Sequence, residues 1–450
     1  MRNLFVALVY FSFFIVGASA PFIFALGYVW VDTFYPQYVT DGLLTQIPIS
    51  FLMAIAAIGG YFLADRRSPP KFNLSLKLIL LFAVWTTITL SWAVVPADAW
   101  FKWGWAFKSV LFAVFIPYVF RTRVQIEAFI LVFYFSCAAT FIPTGLKTLM
   151  NGGGYGMNLG LIQGHNVGLS ESSFQAAAAI AFIPILVYLR EYSLIIPPLK
   201  TPRLMMFAGL IVADLACSLG TFARTAIIGV IILVIPMWLQ SRRKILFALL
   251  AAVAGVGILT VATSPAWENR ISTIGTYNKD SSAYTRILMW MWTLKFVGEH
   301  PLGGGFNSHE ISVIEMPSLN GEPGYVEKGR AFHNMYFEVL GEHGFPGLAI
   351  FLLILFRSLM LATQVVRRTR NRPDLVWACN LGKALRTSLM VMMACANFIG
   401  IGFQPVLWYF IALPICLREY VRRVERDELA VKHGATDPAA PLAPLAGSLP

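Results

Sequence analysis

The chain has 450 residues, of which 57% are hydrophobic and only 13% are charged, whereas about 25% are charged in a typical soluble domain. Its 35 Lys and Arg residues outnumber its 23 Asp and Glu residues and leave a formal net charge of +12. This composition excludes a soluble enzyme, a disordered chain and a disulfide scaffold, and it predicts an all-α, polytopic protein embedded in a membrane.

Apolar segments long enough to cross a bilayer recur along most of the chain. They predict about twelve transmembrane helices, of which the first is long enough to be broken at Pro21. In chain order the predicted spans are 4–35, 43–64, 72–95, 104–120, 124–148, 171–189, 204–219, 222–240, 245–264, 334–362, 376–398 and 402–418.

Basic residues recur at every second connector between these spans. The six basic groups lie at 66–71, 121–123, 190–203, 242–244, 367–372 and 418–426. Because Lys and Arg are enriched in cytoplasmic loops, all six connectors are predicted to be cytoplasmic, and both chain termini with them. The positive net charge then reflects topology, and no nucleic-acid partner is expected.

Two connectors on the opposite, outer side are much longer than the others, namely 151–170 and 265–332. Loops of this length are usually functional or disordered, and the aromatic side chains of the second loop argue against disorder. Within it, the apolar, Trp-containing segment 283–297 predicts a helix that lies in the membrane interface.

The chain is therefore expected to have four parts. N-terminal transmembrane helices occupy 1–264, the large outer loop with its interfacial helix occupies 265–332, and C-terminal transmembrane helices occupy 333–418. The segment 419–450 is predicted to be cytoplasmic and disordered at its end, where Ala, Pro and Leu dominate and charge is scarce.

One histidine stands at the outer edge of a predicted span. His333 opens the segment HNMYFEVLGEHGFPG, and an imidazole in this position can accept a proton from a hydroxyl group near neutral pH. The alternative is an interfacial histidine that is hydrogen-bonded to a loop carbonyl.

Three arginines are predicted on the same outer side, where the positive-inside rule does not require them. Arg224 lies at a turn between two apolar spans, and a charge at that depth tends to be functional. It and Arg286 could each grip a phosphate through two N–H groups. The alternatives are a structural pair with Asp214 for Arg224, lipid head groups for Arg286, and a solvated loop charge for Arg330.

Other polar residues have weaker support. His165 is a candidate for substrate contact in a Gly-rich outer loop, Asp280 is expected to cap the interfacial helix, and Glu338 and Glu342 are expected to face the core or cap a helix. A zincin motif, a nucleophile elbow and a phosphate loop are all missing from the sequence. Arginines with a histidine, without a metal or a nucleophile, suit the transfer of a group from a pyrophosphate to a hydroxyl.

These residues resemble the motifs of a known family. His333-Asn334, with Gly344 and Gly347 after them, resembles the His-Asn…Gly…Gly motif of the bacterial O-antigen ligases, whose relatives include the O-antigen polymerases. The turn 221–224 resembles the arginine-bearing outer turn of that family, although Ala223 stands where Ser is common. The segment 268–290 and the HPLGGGF that follows it are similar to the probable O-glycosylation ligases associated with exosortase systems.

The resemblance implies a membrane glycosyltransferase of the GT-C type that is inverting and needs no metal or other cofactor. Its donor would be a glycan on undecaprenyl pyrophosphate. The protein would lie in the bacterial cytoplasmic (inner) membrane and would use this donor at a catalytic loop on the periplasmic side. Its acceptor would be a hydroxyl group of a glycan, a lipid or a protein. By position, His333 corresponds to the catalytic histidine and Arg224 and Arg286 to the arginines that bind pyrophosphate. Asn334, His165 and Arg330 are further candidates for the site.

Two alternatives stay open from the sequence. An O-antigen or exopolysaccharide polymerase of the same superfamily would perform the same chemistry on a growing glycan. A polysaccharide or lipid transporter or flippase would also have about twelve spans, although the sequence has no evident internal repeat and few charges within its spans.

Overall fold

The computed structural model describes residues 1–65, 69, 72–151, 168–240, 244, 281–316 and 324–432. The predicted span 245–264, most of the outer loop 151–170, parts of the loop 265–332 and the tail from 433 lie outside the described residues. In the described part the α-helices are, in order, α1 (Arg2–Gly17), α2 (Phe22–Phe34), α3 (Pro36–Val39), α4 (Leu43–Gln46), α5 (Ile49–Ala64), α6 (Leu74–Ile88), α7 (Pro96–Val119), α8 (Arg123–Asn151), α9 (Ser172–Tyr192), α10 (Lys200–Gly220), α11 (Arg224–Gln240), α12 (Ser281–Glu299), α13 (Met335–Thr369), α14 (Val376–Cys395) and α15 (Pro405–Lys432).

Six of the described helices are long and apolar enough to cross a membrane. They are α6 with its following 3-10 turn, α7, α8, α9, α10 and α13. The helices α1, α2, α5 and α11 are apolar but shorter. A mostly helical protein with several helices able to span a membrane is therefore confirmed, and the count of about twelve spans stays a prediction.

The predicted first span, 4–35, is not one helix. It forms α1 and α2, of 16 and 13 residues, and each is shorter than the roughly 20 residues of a typical span. The two helices run antiparallel, with the rings of Phe13 and Trp30 5.7 Å apart. The break falls before Pro21, which has no backbone N–H for continuing the helix.

The connections between helices define two ends of the bundle. One end, which we call the basic end, carries the α7–α8, α9–α10 and α13–α14 connections and the last turns of α15. Contacts hold these segments together: Arg123 donates to the carbonyl of Tyr192 at 2.7 Å, and Arg423 donates to the carbonyl of Arg121. We call the opposite end, where α9, α11 and α13 begin, the site end.

The helix directions place the N-terminal residues and the end of α15 at opposite ends of the bundle, and the location of both termini in the cytoplasm stays a prediction. The ring of Tyr35, directly after α2, lies against Gly168 just before α9, so α2 ends at the site end. Arg2 forms an ion pair at 3.2 Å with Asp41 in the connection that follows, whereas α15 ends at the basic end. Because α1 and α2 form a hairpin at Pro21, α1 runs from the site end toward the basic end and α2 returns to the site end.

Helix α9 lies at the centre of the bundle, and 89% of its most apolar stretch is buried. Four consecutive alanines, 176–179, are fully buried there, and small side chains let helices approach closely in a membrane. The helix packs against α10, α11 and α14, and its first residue lies at the site end. A rigid central helix thus carries one edge of the candidate site.

The long outer loop contains structure that the sequence did not predict. Strand β1 (Val313–Met316) pairs antiparallel with β2 (Tyr325–Lys328) in a small two-stranded sheet, which corrects a strictly all-α expectation. The helix predicted at 283–297 is confirmed as α12, and it packs on α13 through Phe296, Val297 and Leu340. The loop therefore folds onto the start of α13.

Candidate active site

His333 is held in an unusual backbone conformation at the start of α13. Its φ is +47°, in the left-handed region that residues other than glycine rarely adopt. On one side, Phe332 is buried against Met289 and Ile314, and its carbonyl accepts a hydrogen bond from Trp290 Nε1 at 3.1 Å. The preceding residue is thus fixed by the loop helix and the small sheet.

On the other side, Asn334 caps α13. Its side-chain oxygen accepts hydrogen bonds from the backbone N–H groups of Tyr336 at 2.8 Å and Phe337 at 3.2 Å. Its Nδ2 donates to the carbonyl of Asn397 at 3.0 Å. The structure gives this carboxamide a capping role beside His333, and its predicted contact with a substrate stays a prediction.

Two arginines lie within electrostatic range of the half-buried imidazole of His333. Its pKa is lowered to about 4, first by burial and then by the charges of Arg286, Arg330 and His309. Because Arg286 comes from α12 and Arg330 from the segment after β2, the fold brings two arginines predicted from the sequence close to His333. At neutral pH the imidazole is uncharged and can accept a proton.

Arg330 is oriented by the small sheet. Its Nη1 forms an ion pair with Glu327 Oε1 at 2.8 Å, and its backbone N–H donates to Ser312 Oγ at 3.1 Å. The guanidinium of Arg330 is therefore paired with Glu327 and is not a freely solvated loop charge. The guanidinium is held by β2 and lies within electrostatic range of His333.

Arg224 is the first residue of α11, so it also lies at the site end of the bundle. The carbonyl of Thr225 accepts a hydrogen bond from Cys395 Sγ at 3.6 Å, and α14 ends two residues before the Asn397 carbonyl that binds Asn334. Arg224 is not among the groups that shift the pKa of His333. Its suggested partner, Asp214, accepts a hydrogen bond from Tyr134 at 3.3 Å.

Glu171 is an ionisable residue of the site that sequence reasoning missed. It precedes α9, and its carboxylate does not cap that helix. Burial raises its pKa to about 7, the charge of Arg286 lowers it, and that of Glu338 raises it. The sequence feature that could have identified Glu171 is its position directly before an apolar span, on the predicted outer side.

His309 is a second missed residue, in the short turn Ser308–Ile311. Its ring lies 5.4 Å from that of Phe332. Its pKa is lowered to about 4, mainly by burial and then by the charge of Lys102, while Glu338 raises it. The site therefore holds two neutral imidazoles at neutral pH.

A buried charge cluster lies below His333 in the first turns of α13. Lys102 Nζ, from α7, bonds Glu338 Oε1 and Glu342 Oε1, each at 2.7 Å. The same carboxylates accept hydrogen bonds from the backbone N–H groups of Gly402 and Asn307, both at 2.9 Å. The expectation that the two glutamates face the core is confirmed, whereas Lys102 was missed because its partners lie far away in sequence.

The segment 300–306, HPLGGGF, docks into an interruption of α13. Gly344 has a φ of +66° and breaks the helix, and the carbonyls of Gly341 and Glu342 accept hydrogen bonds from the backbone N–H groups of Gly304 at 3.0 Å and Gly305 at 2.8 Å. The two glycine-rich segments of the resemblance thus contact each other. His165 and Asp280 lie outside the described residues.

Two family models match the chain. Residues 1–194 match a family of unknown function (DUF5935), and residues 207–352 match the model described as O-antigen ligase. The match over residues 207–352 supports membership of the O-antigen ligase superfamily. None of the curated proteins compared with the chain matches it. Membership of the exosortase-associated subgroup stays a prediction.

The O-antigen ligase domain supplies most of the candidate site. Arg224, Arg286, Arg330 and His333 all lie within it, and the family suggests ligase- or polymerase-type glycosyl transfer with a lipid-linked glycan and an acceptor as partners. Glu171, however, belongs to the other matched region, as does Lys102. The site is therefore built from both matched parts of the chain.

Proposed function

We propose that this membrane protein transfers a glycan from undecaprenyl pyrophosphate to an acceptor hydroxyl group, as an O-antigen ligase-type, inverting and metal-independent glycosyltransferase. The observation that supports it best is the imidazole of His333, held between two anchored residues and lying within electrostatic range of Arg286 and Arg330, whose charges help to lower its pKa. This arrangement pairs a base with cations beside it.

In the proposed reaction the acceptor oxygen forms a bond to the anomeric carbon of the donor glycan. The bond from that carbon to the pyrophosphate oxygen breaks, and its electron pair leaves with undecaprenyl pyrophosphate. His333 takes the hydroxyl proton as general base. Arg286 and Arg224 bind the pyrophosphate and stabilise its growing charge, which arginine does well through paired N–H donors.

Donor binding would also prepare the base. The charges of Arg286 and Arg330 lower the pKa of His333 in the unliganded protein, and a bound pyrophosphate would offset those charges. The pKa of His333 would then rise toward its ordinary value, and the imidazole would become a stronger base only when the donor is present.

We further propose that the site end faces the periplasm of the bacterial inner membrane. The connections at the basic end carry the Arg and Lys residues that the positive-inside rule assigns to the cytoplasm. This orientation would bring His333 to the side on which lipid-linked glycans meet their acceptors.

The first test is His333→Ala. We expect glycan transfer to be abolished while the protein still inserts, and cells relying on this variant should accumulate long lipid-linked glycans without attachment. His300→Ala serves as a control, because His300 is exposed and directly follows the loop helix α12. Wild-type glycan output from His333→Ala would contradict the proposal, and accumulation of single repeat units would indicate polymerisation instead.

The second test concerns the pyrophosphate-binding arginines. Arg224→Ala and Arg286→Ala should each reduce donor use by about 10- to 150-fold, since one charged hydrogen-bonding group is worth about 1.5–3 kcal/mol. Lysine at either position should rescue poorly. Lys295→Ala, an exposed position on α12, provides the matched control, and full activity of both lysine variants would rule out bidentate binding.

A further inference from the structure

A polar cavity of about 250 Å³ lies at the basic end of the bundle, between α6, α13 and α15. Its lining includes three arginines and one acidic residue: Arg357, Arg418, Arg422 and Glu419. The cavity lies at the opposite end of α13 from His333, so it is separate from the candidate active site.

Two of these arginines already have partners. Arg422 pairs with Glu419 at 3.3 Å, and Arg418 pairs with Glu425 at 3.3 Å. The carboxylate of Glu419 also accepts a hydrogen bond from Asn73 at 3.0 Å. The acidic groups near the cavity are thus occupied by these two arginines and the asparagine.

Arg357 is different. Its Nε is buried without a hydrogen-bond partner, and its guanidinium has no ion pair with any residue that the structure describes. It also lies within α13, twelve residues before the last residue Thr369, whereas the positive-inside rule concerns connectors. A cation at such a position calls for an anion.

The depth of Arg357 matches a lipid head group. It follows Met335 by 22 residues along α13, which is interrupted at Gly344. An unbroken helix of that length would rise about 33 Å, close to the roughly 30 Å of a bilayer core. Leu353 and Phe356, one turn or less toward the bundle centre, are 53% and 64% exposed. These exposed apolar side chains can lie along acyl chains while the cavity holds the head group.

We propose that the cavity between α6, α13 and α15 binds the phosphodiester head group of an anionic phospholipid from the leaflet at the basic end, with Arg357 as its main ligand. A cavity of this size is smaller than typical pockets for whole drug-sized ligands, and it suits a head group whose chains stay outside. Basic pockets between transmembrane helices on the cytoplasmic side bind anionic head groups in this way.

The test measures thermal unfolding of the purified full-length protein in detergent with added lipid. Phosphatidylglycerol should raise the unfolding midpoint of the wild type in a concentration-dependent manner, and phosphatidylethanolamine should not. Arg357→Gln should need at least about tenfold more phosphatidylglycerol for the same shift, and Arg357→Lys should retain part of the effect. Each variant is compared with its own lipid-free midpoint, so a lower starting stability does not affect the result.

Arg426→Gln is the matched control, because Arg426 lies at the same end, is exposed and pairs with Asp427 at 3.2 Å. It should respond to phosphatidylglycerol like the wild type. An unchanged response of Arg357→Gln would overturn the proposal, as would an equal loss in Arg426→Gln. If inorganic phosphate alone reproduces the shift, the ligand is a soluble anion and the lipid assignment is wrong.

Native mass spectrometry of the wild type gives a second measurement that needs no variant. We expect one phosphatidylglycerol per chain to be retained in preference to phosphatidylethanolamine, and equal retention of both would contradict the proposal. Neither measurement depends on glycosyl transfer, so failure here and failure of the proposed function are distinguishable.

Discussion

His333 shows how a single residue is prepared by its neighbours. A left-handed backbone at a residue other than glycine costs about 1–3 kcal/mol, and it persists only where the surroundings hold it. Here Phe332 is buried in the loop and Asn334 caps α13. The chain therefore fixes the direction in which the imidazole leaves the backbone before any substrate arrives.

The pKa of His333 leads to a prediction about pH. Transfer requires the neutral imidazole, so activity should rise with pH through this pKa and be lost below it. In the unliganded protein the pKa is about 4, and the acid limb of kcat/KM should fall near this value. The acid limb of kcat at saturating donor should lie at higher pH, because bound pyrophosphate offsets the charges of Arg286 and Arg330.

Arg330→Gln gives the matching control for this profile. Loss of that charge should move the acid limb of kcat/KM upward, toward the ordinary pKa of histidine near 6.5. The measurement is the pH dependence of both kinetic parameters in wild type and variant. The proposed link between donor and base would be contradicted if kcat and kcat/KM had acid limbs at the same pH and if Arg330→Gln left both limbs unchanged.

At the scale of elements, the interrupted helix α13 joins the loop to the bundle. The break at Gly344 frees carbonyl groups that the backbone of Gly304 and Gly305 satisfies. The cluster of Lys102, Glu338 and Glu342 then ties the same turns to α7. Breaking such a buried pair by removing one partner typically costs about 3–5 kcal/mol, so these contacts keep the first turns of α13 in place below His333.

The helix break supports a prediction on glycine. In Gly344→Ala the new Cβ would lie 2.2 Å from the carbonyl oxygen of Pro301, at a φ of +66°. We expect the unfolding midpoint in detergent to fall and transfer to be lost. A residue other than glycine at this φ and a ψ of −169° costs about 1–3 kcal/mol, and the loop must also move. Both quantities are measured on the purified protein.

Gly298→Ala is the control for this substitution. Gly298 lies in α12 with no atom within 4 Å of an added Cβ, and alanine in a helix is favoured over glycine by about 0.8–1.0 kcal/mol. This variant should be as stable as the wild type or more so. Equal effects of the two substitutions would show that the break in α13 does not require glycine.

For the whole molecule, the paths of the helices decide which sides the chain ends face. The hairpin of α1 and α2 places Arg2 beside Asp41 at the site end, while α15 carries the chain to the basic end. All five cysteines are buried, so single cysteines introduced at exposed positions can report on each side separately.

We predict that Asn3→Cys reacts with a membrane-impermeant maleimide added to the periplasmic side. Val431→Cys, at the end of α15, should react only after the membrane is permeabilised. Lys295→Cys on α12 provides the reference for the site end. If Asn3→Cys also requires permeabilisation, the N-terminal segment is cytoplasmic, as the basic connectors alone had predicted.

Much of the fold could be predicted because apolar length and loop charge are local properties. The boundaries of α8, α9 and α11 lie within a few residues of the predicted spans, and the loop helix α12 was expected at 283–297. The hairpin at Pro21 and the sheet of β1 and β2 were not predicted, because a reversal of direction and a pairing of short strands depend on what the chain packs against.

The sequence by itself indicated a helical membrane protein and predicted a histidine and arginines on its outer side, since spans and connectors are read from neighbouring residues. Only the tertiary structure decided which charges meet. Glu171, His309 and Lys102 belong to the site because α7, α9 and the loop converge on the first turns of α13. Electrostatic interaction depends on distance and burial, and both arise only when segments distant in sequence pack together.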